Sequence, residues 1–586
     1  MRRTFRVLLV LLIIAYGGIL RLAAITEIYG PVSQPGWLSA AQEVVVSSPY
    51  MRPAALRWKS EELFPHRDGP PTQYRSDPYT YLKYAREMNS FYAAHRREPL
   101  FPFATKVSLA LLSDQDVAVS FASGTFSTLA VAGTFLLGAT AFSYRVGVGA
   151  AALMAIEYDL ITWGVGGWRD DAFMLAVLLT CLALLRFWRS PERGTAAVLG
   201  IVMGGACLVR ITSLSFIVPG LIAVVLLTRS DMRARLKGTL TALAVATLIA
   251  GPYLVNCWRE YGDPLYSINV HASIYKETEG SSANPSLTAG QYLRGHLRAQ
   301  PMRTIDTVMQ GLTVYPFSNK WHGFHQWLPA AIPWLSSAAV AGLLLFAAFP
   351  AGRVLLVIIV SSLVPYAATW KLAADFRFTA HAYPLFLIAA SLSVASLLSG
   401  VALLRRPREI VRPAGRRIVW VAAAAAFAAT TWYLTTRILP VQVVAETLRT
   451  GEPAMIMALD RDGAFFSRDW KSGPGGLLPT RVTERRRAAI HVPLPAPGPY
   501  DVVLRVDSLR APAEEAALVE RIYLLLDGRL LSRCDPGTTP ERIGVCRMRI
   551  PAQAAGPGMH HLVLASNSEE IRGFRVWYIR LEQVVE

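Results

Sequence analysis

Residues 168–189 read WRDDAFMLAVLLTCLALLRFWR. An apolar run is bracketed by Arg169, Asp170 and Asp171 at one end and by Arg186 and Arg189 at the other. About 20 mostly apolar residues suffice to cross the hydrocarbon core of a bilayer. Arginines collect on the cytoplasmic side of such segments, so the acidic end is expected outside. This one stretch therefore raises two expectations, a membrane-spanning fold and an acidic site at its outer boundary.

The rest of the chain agrees with the first expectation. Of its 586 residues 53% are hydrophobic and 17% charged, with a mean hydropathy of +0.34. Spans are expected near 5–25, 116–141, 146–163, 171–188, 195–210, 212–228, 235–256, 329–349, 353–370, 378–403 and 416–437, about eleven in all. The net charge of +18 does not point to nucleic acid, because the basic residues cluster between apolar runs. Arg186, Arg189 and Arg193 form one cluster, Arg229, Arg233, Arg235 and Lys237 a second, and Arg405 to Arg417 a third. With Arg2, Arg3 and Arg6 placing the N-terminus inside, every cluster falls on the cytoplasmic side. The first span ends at Arg21 without a small-residue cleavage pattern, which favours an anchor over a signal peptide.

That topology leaves residues 26–115, 257–328 and everything after about 438 outside the cytoplasm. The expected division is a transmembrane domain over 1–437 and an extracytoplasmic domain over 438–586. In the latter, YDVVLRVDSL (500–509), RIYLLLDGRLLSRC (521–534) and FRVWYIRLEQ (574–583) are short alternating runs punctuated by Gly, Pro and Asp-Gly, as in a β-sandwich. Five cysteines are too few for a disulfide scaffold. Cys534 and Cys546 would be free to pair if the tail lies outside.

Several ionisable residues gather on the outer face. In RSDPYTYLKYARE (75–87), Pro78 suits a first helical position and Asp77 the N-cap before it. Asp77 is thus either the cap of an interfacial helix or a functional carboxylate. Asp170 and Asp171 suit a helix N-terminus, yet paired carboxylates beside Arg169 also suit a divalent cation or proton transfer. Glu157 and Asp159 lie within the third span, where ionisable groups are costly; two residues apart, they point to different sides. Arg377 and His381, four apart at the start of the tenth span, read either as snorkelling residues or as a phosphate cradle. Lys320, His322 and His325 read as interfacial residues, and Arg210 as a snorkelling turn residue.

The chain resembles the integral-membrane glycosyltransferases of the GT-C superfold, which include protein mannosyltransferases, aminoarabinose lipid transferases and oligosaccharyltransferases. SDPYTYLKYAR (76–86) is similar to the acidic segment of their first outer loop, and WRDDAFMLAVLLTCLALLRFW (168–188) to the second acidic motif. GPYLVNCWREYGDPLYS (251–267) resembles the end of the seventh span, and DFRFTAHAYPLFLI (375–388) the late Arg-aromatic segment. The similarity runs over roughly residues 1–400.

It implies sugar transfer from a polyprenyl-phosphate donor to a lipid, glycan or protein acceptor, in a bacterial or archaeal cytoplasmic membrane. Asp77, Asp170 and Asp171 would be the catalytic residues, and the ligands of any magnesium or manganese ion. Arg377, His381 and Arg169 would bind the donor phosphate. Two departures stand out. The chain has no Trp-Trp-Asp tripeptide, which counts against asparagine glycosylation, and Pro78 follows Asp77 where protein mannosyltransferases have an Asp-Glu pair. LLLDGRLL (524–531) and GMHHLVL (558–564) resemble a carbohydrate-binding jelly roll, for which a stabilising cap is the plainer alternative. A transporter or flippase of lipid-linked sugars is the rival from another class. Such proteins often carry paired repeats and broken helices, and no repeat pairing is visible here.

Overall fold

A computed structural model describes residues 2–33, 36–48, 63–66, 69–227, 231–270, 288–317, 333–368, 376–399, 413–433, 435–436 and 439–449, and then 451–457, 465–466, 470–473, 480–483, 487–496, 498–510, 522–533, 544–554, 558–566 and 571–584. The chain divides into two units. One comprises Met1–Thr313 and Ser337–Phe427, the other Val314–Ser336 and Ala428–Glu586.

The first unit is built from helices. It opens with α1 (Arg2–Tyr29), α2 (Trp37–Ser47), a small hairpin of β1 (Phe64–His66) and β2 (Gly69–Thr72), α3 (Ser76–Glu87) and α4 (Leu100–Leu111). Next come α5 (Ala118–Ala141), α6 (Tyr144–Ile156), α7 (Tyr158–Gly164), α8 (Asp170–Arg189), α9 (Arg193–Val209), α10 (Leu214–Leu227) and α11 (Met232–Tyr261). After these follow α12 (Ala289–Ala299), α13 (Pro301–Phe317), α14 (Pro333–Phe346), α15 (Pro350–Ala368), α16 (Phe376–Thr379), α17 (Tyr383–Ser399) and α18 (Pro413–Tyr433), of which α13, α14 and α18 run across the unit's borders.

Among the described residues, six helices are long and apolar enough to cross a membrane. They are Thr4–Tyr29, Ala118–Ala141, Asp170–Arg189, Met232–Tyr261, Pro350–Ala368 and Arg377–Leu398. The bent pair α6–α7, with a 60° angle at its break, makes a seventh if it is one span. Six or seven of the expected eleven are thus long helices among the described residues. At the other four expected spans, shorter apolar helical stretches stand among the described residues: Arg193–Val209, Ile211–Leu227, Trp334–Phe346 and Ile418–Tyr433. At 17 residues α9 reaches only about 26 Å at ~1.5 Å per residue, under the ~30 Å of a bilayer core. It stops where Arg210 turns extended, with φ −159° and ψ 114°.

Small residues bring the helices close. A Cβ on Gly147 of α6 would sit 2.5 Å from the Phe135 carbonyl oxygen of α5, so only glycine fits that contact. The break at Glu157 frees carbonyls in the last turn of α6, which inside a membrane must find donors. Arg21 of α1 supplies them. Fully buried, it donates to the carbonyls of Ala155 at 3.3 Å and Met154 at 3.4 Å. Its Nε donates to Ser127 Oγ of α5 at 2.7 Å. The residue that ends the expected first span thus ties three helices together.

Among the described residues, the second unit adds α19 (Leu439–Arg449) and ten strands: β3 (Ala454–Met457), β4 (Lys471–Gly473), β5 (Thr480–Thr483), β6 (Arg487–Leu494), β7 (Tyr500–Arg510), β8 (Ile522–Leu526), β9 (Arg529–Arg533), β10 (Gly544–Ile550), β11 (Gly558–Ser566) and β12 (Ile571–Gln583). They form two antiparallel sheets. One runs β10-β7-β12-β5-β4 with β3 also on β12, the other β6-β11-β8-β9. Alternate residues of both, such as Ile490, Val492 and Leu494 on β6 and Val502, Leu504 and Val506 on β7, share one buried cluster. On β12 the buried set steps from Val576 to Ile579 and Leu581, because a bulge between Val576 and Tyr578 shifts the alternation by one. Asp527 and Gly528 join β8 to β9 with φ of 50° and 86°, the left-handed conformation that a two-residue hairpin of the Asp-Gly type requires. The Cys534–Cys546 pairing lies outside the described residues at Cys534.

Candidate active site

The site begins at the start of α3. This helix opens at Ser76, one residue before the expected cap, with Ser76 at φ +58° and Asp77 in its first turn. A left-handed serine costs of order 1 kcal/mol and persists only where its surroundings fix it. Here they do. One Asp77 carboxylate oxygen, Oδ1, accepts from Arg97 Nη2, and the other, Oδ2, lies 3.5 Å from Arg377 Nη1. Asp77 is thus held between two guanidiniums from distant parts of the chain.

Arg97 comes from the loop before α4, and that loop is pinned from several sides. Tyr253, Asn256 and Tyr261 of α11 donate to the carbonyls of His95, Tyr92 and Ala94 at 2.8, 2.8 and 3.4 Å. His95 stacks on Tyr84 with ring centres 3.7 Å apart, and its Nδ1 accepts from the Arg97 backbone N–H at 3.1 Å. Burial, then the charges of Arg96 and Arg97, pull the His95 imidazole down to about 4. It is therefore neutral at neutral pH and able to accept that bond.

Two further acid–arginine pairs adjoin, with Asp171 beside them. Glu98 binds Arg169 and also accepts from the Ile211 backbone N–H at 2.9 Å, with both side chains almost wholly buried. Asp170 Oδ1 takes Arg210 Nη1 at 3.0 Å. Asp171 interacts with Ser127 and Arg21. Aromatic faces line these cations: Arg97 and Arg169 lie over Tyr81, Arg210 over Phe173, and Arg377 over Trp168 at 4.4 Å. Four carboxylates (Asp77, Glu98, Asp170, Asp171) thus face five arginines (Arg21, Arg97, Arg169, Arg210, Arg377), an excess of one positive charge when all are ionised. A cleft lined by Trp163, Trp168, Asp170, Asp171 and Arg377 opens beside them.

The structure brings Asp77, Arg169, Asp170, Asp171 and Arg377 into this cluster, but it separates them by partner. His381 adjoins the cluster on the Arg210 side, and the chain changes from α-helix to 3-10 helix between Arg377 and His381. Its buried ring packs on Phe173 and Tyr366, with centres 4.9 and 5.6 Å away. Glu157 caps α7 by accepting from the Asp159 N–H at 3.4 Å. Lys320, His322 and His325 lie outside the described residues.

A divalent cation does not fit this donor set. Among the described residues no group of three His, Cys, Asp or Glu side chains is placed to hold a metal. Asp77 is held by Arg97 and Arg377 and Asp170 by Arg210, whose charges a cation would meet.

Sequence reading missed Arg97, Glu98, His95 and Trp168. The signal for the first three was the polar run HRRE (95–98), whose Arg-Glu pair lies just ahead of an apolar helix. The signal for Trp168 was its place directly before Arg169.

Comparison with known proteins bears on this cluster. Residues 96–256, which include Arg97, Glu98, Arg169, Asp170, Asp171 and Arg210, match the family described as dolichyl-phosphate-mannose-protein mannosyltransferase. The resemblance to GT-C glycosyltransferases raised by the motifs is therefore met by a family model over part of the chain. Comparison with curated protein sequences finds no match.

Among solved structures, the chain is similar to the archaeal oligosaccharyltransferase AglB from Archaeoglobus fulgidus, in complex with an inhibitory peptide and a dolichol-phosphate. The TM-score is 0.44 at 13% identity, covering 74% of this chain and 55% of that one. It is also similar to ArnT from Cupriavidus metallidurans bound to undecaprenyl phosphate, with TM-score 0.36, 14% identity and 64% and 69% covered. A third is the arabinosyltransferase EmbB from Mycobacterium smegmatis, with TM-score 0.32, 11% identity and 87% and 63% covered. The chain spans about half the length of the oligosaccharyltransferase chains it resembles.

Proposed function

We propose that this protein is a glycosyltransferase that moves a sugar from a polyprenyl-phosphate donor to an acceptor outside the cytoplasm. The observation that carries the reading is Asp77 facing Arg377, which lines a cleft together with Trp168, Asp170 and Asp171. In the proposed reaction, Asp77 takes the proton of the acceptor hydroxyl as that oxygen bonds to the anomeric carbon. The bond from that carbon to the phosphate oxygen breaks, and the leaving polyprenyl phosphate carries the electron pair. Arg377 neutralises its charge, a role that the guanidinium fork suits. The excess positive charge of the cluster favours an anionic ligand. Arg169, Asp170 and Asp171 shape the site, and the C-terminal sheets form the proposed sandwich, a cap or a glycan-binding platform.

The test is transfer by the purified protein in lipid, supplied with a polyprenyl-phosphate sugar and candidate acceptors. Asp77→Asn is expected to lower the rate by about 10²-fold or more, the usual worth of a general base. Transfer at the wild-type rate by that variant would remove Asp77 from the mechanism.

The break between α6 and α7 favours a second reading, a transporter of lipid-linked sugars. Movement of intact donor across vesicles without release of polyprenyl phosphate would establish it instead.

A further inference from the structure

Asp77 is gripped differently on its two oxygens. Arg97 is nearly buried, with a side chain 10% exposed, and its backbone N–H bonds to His95. Arg377 has a side chain 22% exposed, lines the cleft, and meets Oδ2 at 3.5 Å, the long limit of such a contact. We propose that Arg97 is the fixed partner that aims Asp77 and keeps it charged, whereas Arg377 is exchangeable and is drawn from Asp77 by the phosphate of the donor.

This rests on the donor reading above and adds an order of events to it. A phosphate offers several charged oxygens to a guanidinium already at the cleft, and it outcompetes one distant carboxylate oxygen. Before the donor binds, Oδ2 is occupied by Arg377. After it binds, Oδ2 is released from Arg377 as the oxygen that takes the acceptor's proton, while Oδ1 stays on Arg97. The acceptor therefore meets a competent base only when the donor is present, and the sequence is donor first, acceptor second. Such gating suits an enzyme whose activated donor would otherwise face water. Arg97 acts through Asp77 and is a positioning residue.

The probe is undecaprenyl phosphate, which has the donor's lipid and phosphate but no sugar, titrated onto the full-length protein in nanodiscs. Asp77→Asn no longer competes for Arg377, so it is expected to bind the probe roughly fivefold more tightly than wild type, the scale of a partly exposed ion pair. Arg377→Ala is expected to bind it at least tenfold more weakly.

Arg97 is read by pH. The charged groups around Asp77 are Arg97, Arg377 and Arg169, with the Tyr81 hydroxyl beside them. Removing one cation in Arg97→Gln makes the carboxylate easier to protonate, so the acid limb of the transfer rate moves to higher pH while probe affinity is kept. Arg97→Lys restores part of that limb. A merely structural Arg97 would lower the rate evenly across pH and gain nothing from lysine.

If wild type binds the probe and Asp77→Asn binds it no more tightly, the exchange is overturned and the donor reading stands. If wild type binds no polyprenyl phosphate, the donor reading falls and the exchange with it.

Discussion

Asp170 and Asp171 are adjacent in sequence and face different arginines. Arg210 Nη1 holds Asp170 at 3.0 Å, while Asp171 lies with Arg21 and Ser127. Neighbours on a helix project about 100° apart, so two carboxylates that look like a pair on the page diverge towards separate partners. That divergence decides several outcomes.

The first concerns metal. With each acid of the cluster set against a guanidinium, transfer is expected to survive removal of divalent cations within about twofold. The check is the transfer rate after exhaustive chelation, then after adding magnesium or manganese. A tenfold loss restored by either ion would contradict the geometry.

Arg21 is expected to matter for stability rather than for donor affinity. Arg21→Met would leave the carbonyls of Met154 and Ala155 without its donors and Asp171 without its counter-charge. Leaving a buried acceptor without its donor costs about 1–3 kcal/mol. Thermal unfolding in detergent should fall accordingly, while Arg21→Met with Asp171→Leu recovers part of the loss. No change in the midpoint would mean that the junction is not held this way.

Much of this was legible in the sequence, for identifiable reasons. Apolar runs and arginine clusters marked the helices because the bilayer imposes length and sidedness, and Asp77, Asp170 and Arg377 stood out as charges beside such runs. What alternation could not foresee was the bulge in β12, since a single inserted residue leaves no compositional trace. Nor could spacing reveal that Arg97 and Arg377, 280 positions apart by subtraction of their numbers, converge on one carboxylate. Four residues implied a shared face for Arg377 and His381 only if the helix stayed α. It tightens to 3-10 after Thr379, and that local choice is set by packing.

His95 gives a pH signature. Its imidazole, pulled down to about 4 first by burial and then by Arg96 and Arg97, stays neutral in the fold where the unfolded chain already takes a proton. The unfolded state then binds more protons, so stability is full above about pH 6.5 and is lost as pH falls towards 4. In thermal midpoints measured across that window, His95→Phe should show a shallower acid slope than wild type. Equal slopes would place the titration elsewhere.

Gly147 tests the packing of α5 on α6. Gly147→Ala puts a methyl 2.5 Å from a backbone oxygen that cannot swing away, at a cost of about 1–3 kcal/mol. Gly205, whose Cβ would meet nothing within 4 Å, is the control. Gly205→Ala should leave the midpoint of thermal unfolding unchanged or raise it slightly.

The most direct measurement is mass spectrometry of the lipids that purify with wild type and with Asp77→Asn. The account predicts a polyprenyl-phosphate sugar in both, enriched in the variant that binds it without turnover, and its mass would name the sugar. Other membrane lipids recovered normally, with no polyprenyl-phosphate sugar in either sample, would contradict it.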